Sequence, residues 1–181
     1  MAGGEPTLSV EDALWAAHTE GGVARREQTT VQRALGGLDR HGQAHEDAWP
    51  YGSPAFPASR PRRARRGEHR CKLGPWRRLD EPRFDTLLPE LKEGLSAVIT
   101  VRFVPLAWRD DGWVDAGEGG IVEGGHAVLA VGAESQTASL PNHLIIKNSW
   151  GPNWGADGYG FISERYLRHY GIVAHVLERC Q

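Results

Sequence analysis

A histidine and an asparagine, His126 and Asn148, stand 22 residues apart (148 − 126 = 22) at the ends of two apolar runs. The runs are residues 127–131 and 144–146. Both are short, rich in β-branched types and bounded by Gly, Pro or Asn, so both read as strands. His126 opens the first strand and Asn148 lies just past the end of the second. Pairing in one sheet would bring the two side chains together. A neutral imidazole held by a side-chain amide is a general base with its orienter, two members of a nucleophile–base–orienter system.

The rest of the chain must build a frame for that pair. Residues 8–20 predict a helix: Ser9 caps it, Glu11 and Asp12 suit its first turn, and Leu14, Trp15 and Ala17 form its apolar stripe before Gly21-Gly22. A second helix starts at Thr29 or Thr30, carries Val31, Ala34, Leu35 and Leu38 at helical spacing, and closes at His41-Gly42. Residues 52–83 change character. They are rich in Pro and Arg, with nine basic residues from Arg60 to Arg78, and read as a surface loop or excursion. Order returns with a short helix ending at Gly94, a buried strand over 97–101 continued by 102–104, and a Gly- and Asp-rich loop over 108–125. Residues 164–169 form one helical turn and 172–177 a closing strand. The expected divisions are 1–52, 53–83 and 84–181.

The motifs resemble a known family. Gly124-Gly125-His126-Ala127-Val128-Leu129, then Ile146-Lys147-Asn148-Ser149-Trp150-Gly151, then Trp154-Gly155 and the Gly158–Ile162 run are similar to the C-terminal half of papain-like cysteine peptidases. Leu8-Ser9 and the stretch from Thr29 to the Trp49-Pro50-Tyr51 turn also resemble bacterial members. The resemblance implies an α+β, papain-like two-domain fold: an N-terminally incomplete helical half and an antiparallel β-sheet or barrel half. It implies thiol-dependent peptide-bond hydrolysis on a peptide or protein substrate. His126 would shuttle the proton, Asn148 would fix the imidazole, and the Trp150 indole would shield their hydrogen bond. Trp154 and the glycines at 158 and 160 read as scaffold.

The resemblance also demands a cysteine at the start of a buried helix, activated by the helix dipole and the imidazolium, with an upstream glutamine in the oxyanion hole. Neither Cys nor Gln precedes Leu8. Cys71 lies before His126, but Gly74-Pro75 stops any helix begun there. Its Arg and Lys neighbours favour a thiolate, yet Cys71 is the weak candidate for nucleophile, and Cys180, one residue from the end, is weaker. Three readings stand: a peptidase whose nucleophile segment lies upstream of residue 1; a non-catalytic homologue that binds peptide or protein; and a half-enzyme completed by a partner chain carrying the nucleophile helix. Without that helix, the Leu14/Trp15 and Leu35/Leu38 faces lack their main partner, which predicts marginal stability.

Composition narrows the remaining classes. The 181 residues suffice for one ordinary domain or two small ones, and 40% are apolar with mean hydropathy −0.46. A net charge of −2 gives no general attraction to polyanions. The Arg-rich 60–78 stretch shows no interleaved aromatic stacking pattern, so no nucleic-acid partner is expected. No run suits a membrane span and the N-terminus lacks signal-peptide character, so a cytoplasmic protein with no membrane partner is expected. Two cysteines are no disulfide framework; two thiols are expected, with a Cys71–Cys180 bridge left open. The eight histidines form no zinc-binding spacing, and His41 and His45 read as surface residues. No metal or cofactor is expected.

Overall fold

The computed structural model describes residues 7–21, 29–52, 60–65 and 70–178. The chain divides between Pro75 and Trp76 into two compact units.

The first unit is built on two helices, α1 (Val10–Gly21) and α2 (Val31–His41). Ser9 caps α1, accepting the Asp12 N–H at 3.1 Å and donating its hydroxyl to Trp49 O at 2.6 Å. Thr30 caps α2 by accepting the Arg33 N–H. The helices cross where Gly37 meets Ala16, and a Cβ on Gly37 would stand 2.5 Å from the Ala16 carbonyl. A short strand β1 (Gln43–Ala44) pairs antiparallel with β2 (Arg70–Cys71). The local core is small: Ala44, Ala48, Trp49 and Ala64, with Trp15 against it. Of the faces expected to lack a partner, Leu35 is buried, Trp15 and Leu38 are half-buried and Leu14 remains exposed.

The expected excursion over 53–83 is corrected in part. Arg60 is 8% exposed, not solvated. Its guanidinium forms an ion pair with the fully buried Asp12 at 2.6 Å, donates to His41 O and Gly42 O at the end of α2, and lies 4.4 Å over Trp15. Both carbonyls sit at the negative end of a helix dipole, so a carboxylate and a helix terminus together hold the charge. Further along, β2 occupies 70–71 and β3 (Trp76–Leu79) joins the sheet of the second unit, so that unit begins before residue 84. Residues 53–59 and 66–69 lie outside the described set.

The second unit carries a seven-stranded sheet in the order β3-β9-β4-β6-β7-β8-β5. After β3 come α3 (Phe84–Lys92), β4 (Ser96–Phe103), β5 (Trp113–Val114), β6 (Gly124–Glu134), β7 (His143–Lys147), β8 (Tyr159–Ser163), α4 (Glu164–Tyr170) and β9 (Gly171–Leu177). All pairs are antiparallel except β5 with β8. The fold class is α+β, as the sequence indicated. Period-two alternation in β4 buries Ala97, Ile99 and Val101 on one face. Val128, Ala130, Leu144, Ile146 and Ile162 extend that core under Leu87 and Leu91 of α3. The 108–125 stretch, expected as loop throughout, contains β5. Its pairing needs a close approach: Phe161 N–H donates to Gly112 O, and a Cβ on Gly160 would fall 2.3 Å from that oxygen. Among the described residues, no helix is long and apolar enough to cross a membrane.

Candidate active site

Register explains the 22-residue spacing. Leu129 pairs with Lys147 across β6 and β7. Carrying that ladder on by one and by three residues puts Asn148 beside Val128 and Trp150 beside His126. His126, Val128 and Ala130 share one face of β6 by alternation, so the imidazole projects on the core side where the strand begins. Asn148 is fixed by its own N–H, which donates to Gly158 O at 2.9 Å.

The two side chains meet. His126 Nε2 lies 2.9 Å from Asn148 Oδ1. The same oxygen accepts the Ser149 N–H at 2.8 Å. A backbone N–H only donates, so the amide oxygen faces both groups and the imidazole is the donor at Nε2. In the neutral ring this tautomer leaves the Nδ1 lone pair available to take a proton.

Three aromatic rings surround that imidazole. Trp150 is tilted by 32° at 5.2 Å, Trp108 stands edge-on at 5.0 Å, and Phe103 lies at 5.9 Å. Trp108 and Trp150 contact each other at 5.3 Å, and the buried Trp154 backs both. The sequence singled out Trp150 but missed Phe103 and Trp108. The signal was present: Phe103 ends the apolar strand that pairs with the His126 strand, and Trp108 follows it by five residues (108 − 103 = 5). Tyr166 was missed as well. It is fully buried, it touches the Trp108 indole, and burial raises its phenol above its ordinary value.

Cys71 belongs to the first unit. It lies in β2 opposite Gln43, half-exposed, with Sγ 3.7 Å from His45 Nε2. It is therefore a strand residue and not the N-terminal residue of a helix. His45 is half-buried against it, and His41 packs edge-to-face on Trp15 at 5.6 Å, so neither is the plain surface residue expected. Cys180 lies outside the described residues. Among the described residues, no three His, Cys, Asp or Glu side chains gather to hold a metal ion.

An imidazole held by an amide oxygen and packed by two indoles and a phenyl ring is an arrangement that can accept and return a proton. Comparison with known proteins gives a family likeness for the same stretch of chain. Residues 104–179 match the papain family cysteine protease model. Cathepsin B-like CP3 of Giardia intestinalis is 58% identical over 58 residues, which is 32% of this chain and 19% of that protein. Pro-cathepsin H of Bos taurus is 51% identical over 49 residues, 27% of this chain and 14% of that protein. The matched stretch thus covers less than a fifth of either relative. Among solved structures, xylellain, a cysteine protease from Xylella fastidiosa, superposes with a TM-score of 0.74 at 23% identity, over 99% of this chain and 72% of that one. Procathepsin L 3 of the Tenebrio molitor larval midgut gives 0.63 at 20% identity, over 94% and 55%. Residues 104–179 of this chain are similar to the papain family of cysteine proteases, and the fold is papain-like.

Proposed function

We propose that the second unit is the base half of a papain-type thiol peptidase. His126 Nδ1 takes the proton of a cysteine thiol, and the imidazolium returns it to the amine leaving group as the peptide C–N bond breaks. Asn148 holds the ring in the tautomer this needs, and Trp150 keeps water from the hydrogen bond between them. The observation that carries the reading is the 2.9 Å contact from His126 Nε2 to an amide oxygen already committed to the Ser149 N–H, inside an aromatic cage. The thiolate comes from a helix that these 181 residues do not supply, either on an upstream segment of the same polypeptide or on a partner chain. The substrate is a peptide or protein.

Extension in frame upstream of Met1, or addition of a papain-type nucleophile helix in trans, tests this. The 181-residue chain alone is expected to leave fluorogenic peptides intact and to take no epoxide thiol probe. The completed protein is expected to do both, and to lose hydrolysis in His126→Ala. Probe labelling of the unextended chain that vanishes in Cys71→Ser would overturn the assignment and make Cys71 the nucleophile. Failure of both completions would favour a peptide-binding homologue without catalysis.

A further inference from the structure

The Tyr166 side chain has no exposed surface, yet its hydroxyl is fully used. It donates to Arg102 O at 2.7 Å and accepts the Trp108 Nε1–H at 3.0 Å and the Val104 N–H at 3.3 Å. A phenol offers one donor and two acceptor positions, so all its capacity goes to one segment, residues 102–108. That segment holds two of the three rings around His126. Phe103 sits between Arg102 and Val104, and Trp108 is held by its own indole N–H. A phenylalanine would fill the same volume, so packing alone does not call for the oxygen. Without it, a buried indole N–H, a backbone N–H and a carbonyl would each lose a partner, at a cost that favours loosening the turn.

We propose that Tyr166 is a positioning residue for His126: its hydroxyl locks Phe103 and Trp108 against the imidazole and so fixes the ring and keeps water from the His126–Asn148 hydrogen bond. The proposal rests on the reading of His126 as the base and adds a residue 40 positions further along the chain (166 − 126 = 40). The line of action is specific. Tyr166 Oη holds the Trp108 indole, and that indole stands 5.0 Å from the imidazole.

The test needs no nucleophile. In the 181-residue chain labelled with 15N-histidine, exchange of the His126 Nε2–H with water is measured together with the tautomer at that ring. Tyr166→Phe is expected to speed exchange about fivefold or more, the effect of one lost hydrogen bond, with mixing of the two tautomers. Amide protection in β7 and β8 should hold. Trp108→Phe should give a similar acceleration, and adding Tyr166→Phe to it should add little, since both act along one line. Exchange changed by less than about twofold in Tyr166→Phe would overturn the proposal, as would two accelerations that multiply. Should Tyr166→Phe fail to fold, Trp108→Phe decides alone, and unchanged exchange there is fatal. The base reading fails separately, through a completed enzyme indifferent to His126→Ala, and that result would leave the exchange data standing.

Discussion

Asn148 Oδ1 takes two N–H groups at once, the imidazole Nε2–H of His126 at 2.9 Å and the backbone N–H of Ser149 at 2.8 Å. The second bond makes the first directional, because it prevents the amide from flipping without stranding a backbone donor. Asn148→Ala removes the amide and keeps the imidazole. In the completed enzyme, kcat should fall about 10- to 150-fold, matching the loss of about 1.5–3 kcal/mol from one hydrogen bond to a charged ring. Steady-state kinetics of the variant would check this, and an undiminished kcat would remove Asn148 from the mechanism.

Arg60 and Asp12 predict where the first unit breaks. Asp12 is fully buried, held by the Arg60 ion pair and by the Ala44 N–H at 2.8 Å. Arg60→Ala leaves a buried carboxylate without its main counter-charge and takes two donors from the end of α2. The expected destabilisation is about 3–5 kcal/mol, read from urea unfolding of the first unit. Arg63→Ala removes an exposed pair with Asp47 and should cost less than about 1 kcal/mol. Equal effects of the two would show that the buried pair is not the anchor.

His175 supplies a pH dependence. It is 1% exposed in β9, with neither ring nitrogen partnered among the described residues, and packs edge-to-face on Trp76. Burial, then the nearby Arg78 charge, lowers its pKa below the ordinary value. The neutral form is therefore the folded form. Its contribution is complete above the unfolded-state value of about 6.5 and is lost as pH falls through the depressed folded value. His175→Leu should flatten the loss of thermal stability between about pH 7 and 5, and should cost little at pH 7 because no hydrogen bond is forfeited. Wild type and variant losing stability in parallel over that range would refute it.

Asp115 governs a lower window. Burial works against its ionisation, but hydrogen bonds from Arg165 and Ser163 outweigh that and hold the carboxyl below its ordinary value. Ser163 also caps α4 through the Tyr166 N–H at 3.0 Å, so the carboxylate braces the start of that helix. A depressed carboxyl stabilises the fold fully above the unfolded value of about 4 and ceases to do so as pH falls through the folded one. Asp115→Asn should lower stability at pH 7 by about 1–2 kcal/mol and remove part of the acid-limb slope below about pH 4. Calorimetric scans across that range give the comparison.

The sequence made the contact between His126 and Asn148 legible because both lie where a period-two run meets Gly or Asn, and strand ends are marked by local chemistry. Ser9, Thr30 and Ser163 show caps that short-range hydrogen bonds define, and the first two were readable for that reason. The Phe103–Trp108–Tyr166 assembly was not. Its members touch across more than fifty residues, and nothing local distinguishes a buried tyrosine that bonds an indole from one that packs. β5 escaped notice because two residues in a Gly- and Asp-rich loop carry no periodicity, and their parallel pairing with β8 depends on the Gly112–Gly160 contact. Arg60 was read as solvated because a charge run in a Pro-rich stretch usually is; its counter-charge stands 48 residues earlier (60 − 12 = 48).

Helix α4 also anchors the approach to the site from its far end. The Tyr170 hydroxyl donates to Gly117 O and accepts the Gly120 N–H, both at 2.7 Å, on the loop that runs into Gly124-Gly125-His126. A ribosome has already joined His126, Asn148, Phe103, Trp108 and Trp150 before it adds either tyrosine of this helix. The nascent chain thus holds the imidazole, its amide partner and the rings around them while the turn and loop that aim them have no anchor. Maturation of the site therefore waits until α4 has been made.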